Sequence, residues 1–245
     1  AGSVINMGAG SDTFTSTGTF NGLVNLGDDD DVFEFDGIAF GGRILGGNHN
    51  LGDTLRADGS TLVGTGVVDD ANFVEFEILD INQGDWRITG THTFSGGSTI
   101  SAGNLSLEGA LTSSLSMQSG TSLTVSGTLN GNMTGDGGVQ TVSLTNTGTV
   151  NGGLSFGACN DFLTLTTGSN VTGTMDGGAD IDRLTLNGSG TSTLFSDVIN
   201  FEGLTVDGTG TWIINNDYTF TDGTTIAGGT LQLNATLTSD VTVNS

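Results

Sequence analysis

Proline and lysine are absent from this chain, and cysteine and tyrosine occur once each. A proline in a central strand would delete a ladder hydrogen bond, so its absence fits a backbone whose donors are nearly all committed to strand pairing. Four arginines face 27 acidic residues, for a formal net charge of −23 at pH 7. With so few cations nothing can displace counterions from phosphates or hold an anionic bilayer surface, and nucleic acid is excluded as a natural partner. The lone Cys159 cannot close an intramolecular disulfide, which leaves the redox compartment open; beside a turn, it reads as inert filler rather than a reactive thiol. No apolar run approaches the ~18 residues of a membrane helix, so no direct membrane insertion of this segment is expected. No signal peptide is recognisable, and any export is expected to be directed by sequence outside the segment. No window keeps a helical period either, which predicts little or no helix.

Glycine is what abounds, with 43 residues against a hydrophobic share of 34%. Such composition often accompanies disorder. Here the apolar residues fall in short alternating runs, Leu123 to Leu129 and Leu231 to Leu237 among them, which is the pattern of half-buried strands.

A fixed period orders these runs. Gly131, Gly152 and Gly173 are spaced by 21 residues, and the same step relates Leu129, Val150 and Val171, then Val142, Leu163 and Leu184, then Leu144, Leu165 and Leu186. Near the start Phe20, Gly22, Phe33 and Phe35 keep the same offsets, and Phe40, Gly42 and Ile44 open the next unit 20 residues on. Each unit reads as three short strands separated by an Asn-Gly or Gly-Gly corner and a Gly/Asp-rich corner. That is one coil of a β-helix. Asn21-Gly22, Asn130-Gly131 and Asn151-Gly152 place at the corner the residue types that reach left-handed backbone angles cheaply, and stacked Asn amides can bond along the axis. Crossovers between parallel strands are right-handed in ~98% of cases. The expected fold is therefore all-β, a single right-handed parallel β-helix (solenoid) with about 21 residues per coil. Residues 1–245 would form one continuous segment of roughly 12 coils, about 55 Å long at ~4.8 Å per strand. Residues two apart on a strand share a face, so the two leucine-type columns should point inward and Ser143, Thr164 and Thr185 outward.

A longer repeat overlies the first. Residues 86–113 realign on 212–239 with an offset of 126: Trp86 matches Trp212, Ile88 Ile214, Phe94 Phe220, Gly97 Gly223, Gly103 Gly229 and Leu105 Leu231. With their lead-ins the two copies span 76–113 and 201–239. The stretch from Phe201 to Trp212 and on through Tyr218 to Leu233, with a weaker copy from Phe76 to Leu107, resembles autotransporter passenger domains. The resemblance implies a right-handed β-helix exported across an outer membrane by a C-terminal translocator barrel, extracellular or at the bacterial cell surface, serving adhesion, aggregation or toxin delivery. Because the pattern is already under way at both termini, the chain is expected to be a fragment or processed product of a longer passenger.

Candidate chemistry is sparse. Gly8, Gly10, Asp12 and Phe14 fit the first half of a calcium-binding nonapeptide, and Gly177 to Leu184, with Asp180 and Asp182, is a degenerate copy. Asp28 and Asp30 belong to a further acidic corner. Calcium takes six to eight oxygens, and adjacent nonapeptides share ligands between turns. Here the copies are isolated, so the plainer reading is solvated Asp-Gly turns, and no cofactor is expected. Polysaccharide cleavage would need paired carboxylates on one face, for which Asp69 with Asp70 or Asp180 with Asp182 are the candidates. Against it, His49 and His92 read as corner residues far apart, Arg43, Arg56, Arg87 and Arg183 are too few for a lyase base and an acidic-sugar clamp, and no serine nucleophile elbow occurs. Surface charge is the plainer assignment for these acids. Trp86 and Trp212 could be sugar-stacking platforms, but the alternating apolar residues after each favour core packing.

Charge divides the chain. Residues 1–85 carry 15 acidic groups, whereas 86–160 carry Glu108 and Asp136 with Arg87 opposing them. A nearly neutral Ser/Thr/Gly face can pack against a copy of itself, and exposed strand edges can stack into fibres. The sequence thus points away from an enzyme and toward a bacterial surface or secreted β-helix acting in adhesion, self-association or aggregation. Its partners would be a host or neighbouring-cell surface or copies of itself, as a homo-oligomer or fibre. A structural fibre or matrix protein, a carbohydrate-binding or carbohydrate-cleaving β-helix, and a toxin-type passenger are the alternatives.

Overall fold

The computed structural model describes residues 3–17, 20–36, 41–59 and 65–244. Phe40, which opens one of the early units, lies outside them. Among the described residues every regular element is a strand. Two compact units are formed, Ala1–Ser116 and Met117–Ser245.

In the first unit, strands Ser3–Ala9, Gly22–Asp28, Arg43–Asn48 and Phe73–Val74 lie side by side in one parallel sheet. Thr13–Ser16, Val32–Phe35, Thr54–Asp58, Ile78–Gln83 and Gly97–Ile100 form a second, and Thr65–Val68, Asp85–Ile88 and Asn104–Leu107 a third. The core between them is aromatic. Phe14 stacks on Phe33 with ring centroids 5.7 Å apart, and Phe35 meets Phe73 and Trp86 at 4.8 Å each.

In the second unit Ser122–Val125, Thr141–Leu144, Phe162–Thr166, Arg183–Asn187, Gly203–Val206, Tyr218–Ile226 and Leu237–Val243 make one parallel sheet. Met133–Gly135, Leu154–Ser155, Met175–Asp176 and Val198–Ile199 make another. Each successive pairing advances the chain by one coil, so each unit is a parallel β-solenoid. Val142, Leu163 and Leu184 are consecutive cross-strand partners, as are Leu144, Leu165 and Leu186. All six are buried, none more than 3% exposed. Burying one such side chain is worth roughly 1.5–3 kcal/mol, and the solenoid collects that gain twice per coil on this sheet. Ser143, Thr164 and Thr185 between them are half-buried on the opposite face.

The 21-residue step is kept from Thr141 to Phe162 to Arg183, but it is 19 between Ser3 and Gly22, 24 between Thr54 and Ile78, and 29 between Ile44 and Phe73. Strands hold register while corners absorb the difference.

The glycine column has a different cause from the one its sequence suggests. Gly131 has a positive φ of 156°, but Gly22 and Gly152 lie outside the left-handed region. What they need is room: a Cβ on Gly152 would stand 2.2 Å from the Gly131 carbonyl oxygen, and one on Gly173 would stand 2.6 Å from the Gly152 carbonyl carbon. Successive corners stack backbone on backbone. The amides beside them do bond along the stack, Asn151 Nδ2 donating to Asn130 Oδ1 at 2.8 Å.

The long repeat returns as repeated geometry. Trp86 and Trp212 are 1% and 2% exposed, and their indole N–H groups are both satisfied, though by non-equivalent carbonyls, Gln83 three residues before at 2.8 Å and Asn187 25 residues before at 3.0 Å. Neither is a surface platform. A hydroxyl pair recurs at the same offset, Ser98 with Ser113 at 2.9 Å and Thr224 with Ser239 at 2.8 Å. His92 lies within strand Thr91–Thr93, buried and stacked on Phe94, rather than in a corner; Tyr218 fills its place in the second copy.

Candidate functional site

The most distinctive polar feature is a ladder of acids turned into the protein. In the first unit the Asp12 N–H donates to Asp31 Oδ1 (2.7 Å), the Asp31 N–H to Asp53 Oδ1 (2.8 Å), and the Asp53 N–H to Glu77 Oε2 (3.0 Å). In the second, the Gln140 N–H donates to Asp161 Oδ1 (2.5 Å), the Asp161 N–H to Asp182 Oδ1 (2.7 Å), and the Asp182 N–H to Glu202 Oε2 (2.8 Å). Each rung therefore caps the backbone of the coil before it. Asp53, Asp161, Asp182 and Gln140 are wholly buried, and Asp31 is 1% exposed.

One carboxylate oxygen per rung is satisfied by this arrangement and the other is not. No hydrogen-bond donor reaches Oδ2 of Asp12, Asp31, Asp53, Asp161 or Asp182. A buried charge without a donor is expensive, and the proton is the cheapest remedy. Burial pushes Asp53 and Asp161 up to about 6 and Asp182 up to about 7, against the opposing pull of one backbone N–H each. Neighbouring acids add to the rise: Glu77 and Asp31 at Asp53, Asp161 and Glu202 at Asp182. Asp31 is raised for the same reason.

The five acids singled out from the sequence as calcium candidates do not converge. Asp12 and Asp182 belong to the two ladders, and Asp182 is fully buried, which corrects its reading as a solvated turn or surface charge. Asp28 accepts from the Asn48 amide at 2.9 Å. Asp30 Oδ1 accepts three backbone N–H groups, from Asn50, Leu51 and Gly52, and these hold its carboxyl below the usual range. Asp180 adopts a φ of 84° and accepts the Cys159 N–H at 3.1 Å. The paired carboxylates weighed for glycoside chemistry are likewise spent on structure. Asp69 caps its own turn through the N–H groups of Ala71 and Asn72, and Asp70 receives the Thr91 N–H.

Among the described residues one group of three metal-ligating types does converge: His49, Asp53 and Glu77 offer atoms all within 4.8 Å of one another. His49 and Asp53 share the corner between Arg43–Asn48 and Thr54–Asp58, and Glu77 comes from the next coil. His49 and Glu77 border an open groove of about 470 Å³ whose walls include Asn25, Asp28, Asn48 and Glu75.

A second surface carries a column of hydroxyls, with Arg183 and its ion-pair partner Asp222 flanking it two residues upstream of Thr185. Thr124, Ser143, Thr164, Thr185, Thr205 and Thr225 are successive cross-strand partners, an unbroken outward column of half-buried hydroxyls in the second unit. Beside it Val139, Phe162 and Ile181 are 41%, 43% and 45% exposed.

Fold and site together define a parallel β-solenoid repeat protein whose coils are capped by buried acids. Residues 82–107 and 204–233 match the passenger-associated-transport-repeat family. Both matches fall on the long repeat, at the buried tryptophans and the strands that follow. The two matched repeats and the parallel solenoid support an autotransporter passenger β-helix, a kind of protein that is secreted or held at the cell surface. No curated protein and no solved structure matches it.

Proposed function

We propose that the chain is a non-enzymatic contact surface, acting in adhesion and self-association outside the cell. The hydroxyl column carries this reading. Six identical or near-identical outward side chains repeat at one strand spacing with no charge among them, so a second copy laid alongside makes the same contact at every coil. Each contact is weak, but contacts held in register on one rigid sheet reinforce one another. The exposed Val139, Phe162 and Ile181 add apolar area next to the column. In a molecule this acidic, a column of uncharged side chains lowers the repulsion that two copies meet.

The test is display of the parent protein on cells that do not otherwise clump. Clumping or surface attachment is expected, and it should fall in the double variant Thr164→Glu, Thr185→Glu, which places charge on the column without touching the core. Display with neither clumping nor attachment would overturn the reading. The purified chain is also expected to release no product from acidic or neutral polysaccharides. Product release that disappears with Asp182→Asn would make it an enzyme instead.

A further inference from the structure

We infer that His49, Asp53 and Glu77 form a binding site for one divalent transition-metal ion of the zinc type. Two observations of the first unit carry the assignment. The ligand atoms are close and of the right kinds. His49 Nδ1 is 3.0 Å from Glu77 Oε2 and 3.9 Å from Asp53 Oδ2. Two ligands each ~2.1 Å from a tetrahedral zinc ion stand about 3.4 Å apart, and these separations lie on either side of that value.

Asp53 is the second observation. Its side chain is wholly buried, its Oδ1 already accepts the Asp31 N–H, and its Oδ2, with no hydrogen-bond donor, is the atom turned toward His49. Asp161 and Asp182 have the same orphaned oxygen in the second unit, but the groups of three ligands do not include them. Only the Asp53 rung meets an imidazole.

The donor set selects the ion. One imidazole nitrogen with two carboxylates suits zinc and its first-row neighbours, whereas calcium and magnesium take oxygen shells. The groove bordered by His49 and Glu77 leaves the outer side open for a water or an exogenous ligand in the fourth position. A bound ion would tie the His49 corner to Glu77 on the following coil. Without the metal, His49 is a polar neighbour of Glu77, so the two roles separate in a binding experiment.

The experiment is calorimetric titration of the metal-free full chain with zinc, repeated with calcium and magnesium, alongside thermal melts. One saturable zinc site of low-micromolar or tighter affinity is expected, with a melting temperature that rises as zinc is added. Outer-shell partners of a bound metal are worth roughly 10- to 100-fold in affinity, so His49→Ala should weaken zinc by at least about that much. His49 is partly exposed and its loss leaves the acid ladder intact. Glu77→Gln, which keeps a side-chain oxygen for the Asp53 N–H, should do the same. Cobalt in place of zinc should give visible absorption bands that His49→Ala abolishes. No saturable zinc binding, or zinc binding unchanged in His49→Ala, would overturn the proposal. Calcium bound as tightly as zinc and indifferent to His49→Ala would overturn it too, leaving a diffuse acidic surface.

Discussion

A single carboxyl group shows how position outweighs residue type in this protein. Asp182 follows the exposed Ile181 in a Gly/Asp-rich corner, yet it is fully buried. The reason is parity: Asp182 stands two residues before Leu184, the first inward residue of its strand, and residues two apart share a face. Asp31 before Phe33, Asp53 before Leu55, Gln140 before Val142 and Asp161 before Leu163 obey the same rule. Their titration gives a prediction. Asp161 and Asp182 are raised from 3.8 to about 6 and about 7 in the folded protein, so the folded state holds protons there that the unfolded chain releases. The stability they contribute is fully present below the unfolded value and is lost as pH rises through 6 and 7. Thermal midpoints should therefore fall between pH 5 and pH 8, and the double variant Asp161→Asn, Asp182→Asn should flatten that fall. Asparagine keeps an Oδ1 to accept the backbone N–H that Asp161 and Asp182 accept from Gln140 and Asp161, so the variant should fold. A wild-type midpoint that rises with pH across this window, or a variant with the wild-type slope, would contradict the account.

At the scale of the strand, alternation of faces sets the cost of change. Leu163 has Val142 and Leu184 as its partners on either side and no exposure, whereas Thr164, the next residue, is half-buried in the outward column. Leu163→Asp buries a charge with no donor and should cost several kcal/mol. Thr164→Asp leaves its charge in water and should cost under about 1 kcal/mol. Urea midpoints of the two variants would check the contrast, and equal losses would refute the assignment of faces. Because each coil rests on its neighbours, the loss at Leu163 should spread to adjoining strands, visible as faster amide exchange at Leu144 and Leu186. Corners follow another rule. Gly152 is held to glycine by the carbonyl of the coil beneath it, a contact that no dihedral preference foretells.

Charge is the property that belongs to the whole molecule. The formal value of −23 counts every carboxylate as ionised, so the buried rungs make the true charge at neutral pH somewhat smaller. What remains is mutual repulsion, screened by salt over a Debye length of about 8–10 Å near physiological ionic strength. Calcium is accordingly expected to raise stability only modestly, and magnesium at equal concentration to do the same. Saturable calcium sites of sub-micromolar affinity would instead establish a calcium-dependent solenoid. On the function proposed above, this charge of one sign keeps the protein dispersed, and the hydroxyl column is where copies meet.

Periodicity determined the architecture without help from coordinates. The recurrence of Val142, Leu163 and Leu184 at a constant step leaves parallel stacking as the way to bury all three, because a strand shows alternate residues to each side. The long repeat likewise marked the buried tryptophans at 86 and 212. The acid ladders were legible in principle, two residues ahead of each inward column, but a carboxylate in a glycine-rich corner has solvent as its ordinary surroundings, and that expectation hid them. Only the tertiary structure decided which corner residues face the interior, that glycines 152 and 173 serve close approach, and that His49 meets Asp53 and Glu77. The step between coils varies from 17 to 29 residues, so Glu77 lies at no fixed offset from His49 that a sequence period could reveal. Strand periodicity is local and survives in the sequence, whereas a site made across two coils exists only once the corners between them have taken their lengths.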